Sequence, residues 1–146
     1  MFNTIEQKPR KKTIFDLRFN PGGASPPGKR MIKKLADIDQ VNQQGKLFVI
    51  TGMRTYSAAI DNVVDFEKHT QAIFVGEETS GKPNAYGEIK YILLPSSGLR
   101  ISYSTKYFNR REHETDSFYP DVNIETRFQD YNKGIDPVFE FIKTLK

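Results

Sequence analysis

Lys82 closes the stretch GEETSGK, residues 76 to 82, directly behind the apolar run AIFV. Glycine, four residues, glycine and lysine behind a strand make the first half of a phosphate-binding loop. The second half is missing. Such a loop needs Ser or Thr after the lysine to hold magnesium, and a helix start whose N–H groups face the phosphates. Here Pro83 follows, with neither hydroxyl nor N–H. Glu77 and Glu78 would set two carboxylates against the anion. The spacing therefore argues against a nucleotide and leaves Lys82 in need of other chemistry.

Ser57, in TGMRTYSAAI, falls between a buried apolar run and an amphipathic segment. A serine at such a turn is commonly a helix N-cap. The alternative is a nucleophile, because a helix start offers free N–H groups and the positive end of the dipole. The Ala58 N–H would then help to hold an oxyanion. A serine nucleophile also needs a base. His69 follows Ser57 by twelve residues on the same expected helix, roughly 18 Å along its axis, and cannot reach it. His113 sits in a charged loop with nothing to recommend it. Lys82 follows the third expected strand and Ser57 the second, so both belong at one edge of a parallel sheet, where α/β sheets build their sites. DLRFNPGG follows the first strand and reaches the same edge. Gly22 and Gly23 there permit either an ordinary tight turn or a close backbone approach to a ligand. Asp16 and Arg18, either side of Leu17, would point to one side of a strand and are expected to pair structurally with their surroundings.

The elements that must carry these residues follow from periodicity. TIFDL, KLFVIT and QAIFVG read as strands, the second buried on both faces. Met31, Leu35 and Ile38 recur at helical spacing, as do Ile60, Val63, Val64 and Glu67. Strand and helix alternate, which predicts parallel α/β layering. EIKYILLP and LRISYSTKY flank SSG as a hairpin, and Leu99, Ile101 and Tyr103 alternate with polar residues as in a half-buried strand. NRREHETDSF is a charged loop and YPDVNIE a short strand. DPVFEFIKTL is a helix capped by Asp136, with Pro137 at its first position and Val138, Phe141, Ile142 and Leu145 on one face.

The chain has 146 residues, enough for one domain with a core. Hydrophobic residues make up 37%, charged residues 27%, and the mean hydropathy is −0.59, a soluble globular composition. No apolar run approaches membrane-spanning length and no signal-peptide pattern follows Met1. The absence of cysteine excludes disulfides and thiolate metal sites, and nothing else in the pattern calls for a metal or cofactor. The net charge of +4 gathers in KPRKK and GKRMIKK. Such runs are usually solvated faces, and the aromatic residues stand in core-like periodicities rather than beside them, which argues against nucleic acid.

Taken in order, TIFDLRFNPGG, RTYSAAI and IFVGEETSGK resemble the S41 serine peptidases, the C-terminal processing or tail-specific proteases. Ser57 and Lys82 are separated by 25 residues, as in that family, and YPDVNIE and GIDPVFEFI resemble its closing strand and helix. The resemblance implies a ClpP/crotonase-like α/β core with a mainly parallel sheet, flanking helices and a C-terminal β-hairpin. It implies a serine endopeptidase in which Ser57 is the nucleophile and Lys82 the general base, with Ala58 and Gly22 or Gly23 as the oxyanion hole. A polypeptide is the implied substrate. Family members carry further sequence before the D-L-R strand, so residues 1–146 are expected to be a single, N-terminally truncated catalytic domain. MFNTIEQKPRKK then reads as the end of a preceding helix. Missing strands would leave an open sheet edge that favours self-association. By the same likeness the full-length protein is expected to work outside the cytoplasm or at a membrane.

A free lysine titrates near ~10.4, and a base working at neutral pH needs a value of about 7–8. Lys82 is therefore expected in a mostly apolar pocket with Glu77 and Glu78 turned away. Two departures from the family stand out. Ile60 occupies the place of a common glutamate, and Lys68 falls near an acid that supports the lysine in some members. These leave open a catalytically silent, peptide-binding remnant of the same fold. An acyl-thioester enzyme of the crotonase type would have no use for Ser57 and Lys82 together.

Overall fold

The computed structural model describes Ile5 and residues 10–145; the helix expected before the first strand lies outside them. The main sheet has four parallel strands in the order β1, β2, β3, β6: Thr13–Asp16, Leu47–Thr51, Ile73–Gly76 and Val122–Asn123. Parallel neighbours need crossovers, supplied by α1 (Ser25–Ala36) between β1 and β2 and α2 (Ala58–His69) between β2 and β3. All five residues of β2 are buried, as its unbroken apolar run requires.

Alternation along β2 divides the core between two layers. Leu47 and Val49 pack with Ile32 and Leu35 of α1 and Val63 and Phe66 of α2. Phe48 and Ile50 face the other way, onto Val138 and Ile142 of α4 (Pro137–Thr144). Fully burying such side chains contributes roughly 1.5–3 kcal/mol each, so the sheet is held from both sides. Asp136 caps α4 as expected, accepting from the Phe139 N–H at 3.0 Å. At its other end Lys12 donates to the carbonyls of Ile142 and Leu145. This member of the basic run therefore caps a helix C-terminus.

Two expectations are corrected in detail and one element is added. α1 ends at Ala36, so Ile38 packs from the following turn, and Ile32 takes the buried place. On α2 the inward residue is Phe66, while Glu67 is exposed and pairs with Arg111. A short helix, α3 (Phe128–Asn132), was not foreseen.

The hairpin forms from β4 (Ala85–Leu93) and β5 (Arg100–Phe108) in a separate two-stranded sheet. It is not half-buried. Leu99, Ile101 and Tyr103 are exposed, as are Tyr86, Ile89, Tyr91 and Ile92. Alternation in β5 therefore marks the pleat without a core behind it, because among the described residues nothing packs over the outer part of this ribbon.

Candidate active site

Three loops at the carboxyl ends of β1, β2 and β3 build the site, and buried polar groups lock them together. Thr55, fully buried, donates its hydroxyl to the Leu17 carbonyl at 2.8 Å and accepts from the Gly52 N–H at 3.1 Å. The Tyr56 N–H donates to the Asn20 carbonyl at 3.1 Å. The NPGG turn is thus pinned to the loop carrying Ser57. Behind β3, the Thr79 hydroxyl donates to the Gly81 carbonyl at 2.9 Å and accepts from the Phe118 N–H at 3.1 Å, shaping the turn that presents Lys82. Leaving such groups unpaired would cost about 1–3 kcal/mol each, which holds the loops in one arrangement.

Ser57 occupies the N-cap position of α2 but does not cap it. Its side chain makes no cap hydrogen bond, and its backbone lies at φ 55°, ψ −121°. A capping serine has an extended backbone and gives its oxygen to the helix. Here a non-glycine residue is held in a sparsely populated region, at a cost of about 1–3 kcal/mol. A sharp strand-to-helix turn of this kind exposes a serine hydroxyl above the sheet. Gly22, at φ 103°, makes the turn sterically feasible. A Cβ there would lie 2.7 Å from the Ser57 Cβ and 2.8 Å from the Ala58 nitrogen. Its own N–H donates to the Asn20 side-chain oxygen at 2.9 Å. Ala58 stands at the first helical position, where no intrahelical partner exists for its N–H.

Ser57, Ala58, Gly23 and Lys82 line one cleft of about 590 Å³, with Tyr56, Gly81 and the hairpin residues Tyr86, Ile89, Ser104 and Lys106. Gly22 lies behind Ser57 rather than in the cleft wall. The turn before Lys82 packs directly on the residue before Ser57: a Cβ on Gly81 would stand 3.0 Å from the Tyr56 ring. His69 and His113, both exposed, do not line this cleft.

Lys82 departs from expectation. Its ammonium donates to Asp116 at 2.6 Å, and its side chain is 56% exposed. The hydrogen bond and charge of Asp116 hold the amine above the ordinary lysine range, and Lys82 depresses Asp116 in return. Glu77 and Glu78 do turn away. Glu77 accepts from the Thr126 N–H at 3.3 Å, and both glutamates line a separate hollow with Met53 and Tyr119. The pocket around Lys82 is nevertheless neither apolar nor free of carboxylate, because the charged loop folds back over it. Asp116 lies 34 residues beyond Lys82 in a loop with no periodicity to reveal where it docks.

The same loop brings in other residues that spacing did not single out. Arg110 donates to Asp61, one helical turn after Ser57, and to the Pro83 carbonyl at 2.8 Å. Ser25 donates to the other Asp61 oxygen. Asp61 was within reach of helical periodicity; Arg110 was not. Arg18 binds Asp136, the cap of α4, at 2.7 Å, a structural pairing with its surroundings as expected, and it also binds Asp16 at 2.7 Å. Among the described residues no cluster of metal-ligating side chains occurs, and no helix is long and apolar enough to cross a membrane.

No protein-family profile matches the sequence, and no curated protein does. Solved structures do match in fold. A proposed peptidase from Parabacteroides merdae superposes with a TM-score of 0.75 at 20% identity, over 99% of this chain and 54% of its own. A proposed S41 protease from Bacteroides fragilis gives 0.63 at 17% identity, over 99% and 45%. The photosystem II D1 C-terminal processing protease gives 0.59 at 16%, over 85% and 37%. The chain thus has the mixed α/β fold of the S41 proteases and spans about half the length, or less, of these neighbours.

Proposed function

We propose that this chain carries the nucleophile-bearing part of a serine endopeptidase, with Ser57 as nucleophile and Lys82 as general base. The observation that carries the reading is the Ser57 backbone. A strained φ of 55°, a hydroxyl that does not cap its helix and a glycine packed against the adjoining peptide suit a serine held for chemistry rather than for capping. The protease neighbours in fold support the same reading.

In the reaction, an extended peptide lies in the cleft beside the hairpin, whose outer edges carry backbone groups free to pair with a strand. Peptide cover removes water and disfavours the charged amine; Lys82 gives its proton to the departing solvent, leaves Asp116 and turns toward Ser57 as a neutral amine. The amine takes the Ser57 proton while Oγ attacks the scissile carbonyl carbon. The oxyanion is held by the N–H groups of Ala58 and Gly23, since that of Gly22 is already given to Asn20. Collapse expels the amine product, which receives the proton from the Lys82 ammonium. Water, deprotonated by the same amine, then hydrolyses the acyl-enzyme.

The exposed Lys82–Asp116 pair favours a second reading, a peptide-binding remnant without catalysis, because a paired ammonium is no base. Labelling with a fluorophosphonate serine probe separates the two. Wild type is expected to label, with signal lost in Ser57→Ala and in Lys82→Ala. Absence of label in wild type at any pH up to the alkaline limit of folding would leave the binding remnant.

A further inference from the structure

Arg110 touches the Ser57 helix and the segment after Lys82 without belonging to the proposed dyad. Its side chain is only 15% exposed, and its guanidinium stacks over the Phe108 ring, 4.7 Å from the centroid. Nε donates to Asp61, on the helix that starts beside Ser57. Nη1 donates to the carbonyl of Pro83, the residue after Lys82. The second Asp61 oxygen takes the hydroxyl of Ser25, two residues beyond Gly23. Arg110 is itself seated by its neighbours: Asn84 Oδ1 accepts from the N–H groups of Arg110 and Arg111 at 2.7 and 2.9 Å, and Lys68 donates to the Arg110 carbonyl. The ion pair with the Ser25 hydroxyl therefore joins the start of α1, just after the glycine turn, to the Ser57 helix and the segment after Lys82.

We propose that Arg110, acting through Asp61, is a positioning residue that sets the backbone of Lys82 relative to Ser57, so that the lysine side chain swings toward Ser57 about a fixed base. The inference rests on the peptidase reading above. Stability alone gives little reason for the pair. Two charges largely withdrawn from water are often matched or bettered by apolar side chains of similar volume. What the pair supplies is geometry. A guanidinium presents donors in a rigid planar fork, and this one spans a helix carboxylate and a loop carbonyl at a fixed separation. An ammonium on a flexible stem does not. Reacting groups displaced by about 1 Å can lose on the order of 100-fold in rate, so a clamp of this kind acts on rate rather than on binding.

The test compares wild type, Arg110→Lys and the double variant Arg110→Met with Asp61→Leu, which removes both charges together. Acylation of Ser57 by a fluorophosphonate is followed against probe concentration, alongside thermal unfolding. The double variant is expected to melt within a few degrees of wild type. Its maximal acylation rate should fall about 10- to 100-fold, with the half-saturating probe concentration unchanged. Arg110→Lys should keep the fold and the charge but fail to restore the rate. Wild-type rates in either variant would overturn the positioning role and leave the peptidase reading intact. Lack of label on wild type would sink both. If the double variant does not fold, Arg110→Lys alone decides the matter.

Discussion

Lys82 and Asp116 meet at 2.6 Å although 34 residues separate them, and both side chains stand in solvent, 56% and 84% exposed. An open ion pair of this kind contributes little to stability. Its consequence is for protonation. A lysine is charged at neutral pH even when free, and Asp116 raises its pKa further, so base chemistry requires Lys82 both to leave this contact and to lose its proton.

The Asp116→Asn variant tests that consequence. The raised pKa of Lys82 comes first from its hydrogen bond to Asp116 and then from the charge of that group. A raised lysine value means that the pairing is present below the ordinary lysine range and lost as pH rises through the folded value. Removing the carboxylate charge lets the amine deprotonate at lower pH. The rising alkaline limb of Ser57 acylation should therefore move to lower pH, with an unchanged melting temperature. A limb that stays in place would show that Lys82 has already left Asp116 in the reacting state, or that it is not the base.

Strain at Ser57 gives a second expectation. Glycine tolerates φ 55°, ψ −121° far better than serine or alanine does. Ser57→Gly is therefore expected to exceed Ser57→Ala in unfolding free energy by about 1 kcal/mol, the relieved strain outweighing the extra freedom of glycine in the unfolded chain. Both should be unlabelled by serine probes. Urea titration measures the difference, and equal stability of the two variants would mean that the turn is not strained.

Asp136 links the first strand to the last helix, and its effect should depend on acidity. Burial pushes this carboxyl up, but the hydrogen bonds from Arg18 and the Phe139 N–H, with the charge of Arg18, hold it below the ordinary range. A depressed value contributes stability that is present above the unfolded pKa, near ~3.9, and lost as pH falls through the folded value. Asp136→Asn retains an oxygen for the cap and removes the charge. It should lower stability by up to about 1 kcal/mol near pH 7, with the difference from wild type vanishing toward pH 3 and below. Melting curves across that range check it. A difference that persists at low pH would assign the loss to packing instead.

Much of the fold was legible along the chain because its cues are local. β2 announces itself by four consecutive apolar residues, α4 by the Asp136–Pro137 start, and the parallel order by alternating strand and helix. Side chains that misled did so where periodicity was cut short or had no core behind it. Ile38 follows the end of α1, and the alternation of Ile101 and Tyr103 belongs to a ribbon exposed on both faces.

For the site, residue order and spacing determined which loops converge on the carboxyl edge of the sheet, since that follows from parallel topology alone. Ser57, Ala58, Gly23 and Lys82 duly share a cleft. Tertiary structure alone decided the electrostatics. Asp116 reaches Lys82, and Arg110 reaches Asp61 and Pro83, from a loop with no regular element, whose path is set by Phe118 on Thr79 and by Asn84 on Arg110 and Arg111. Helix and strand periodicities repeat over a few residues and can be read in place. A charge pairs across space with whatever the folded chain brings near it, and no short-range pattern encodes that distance.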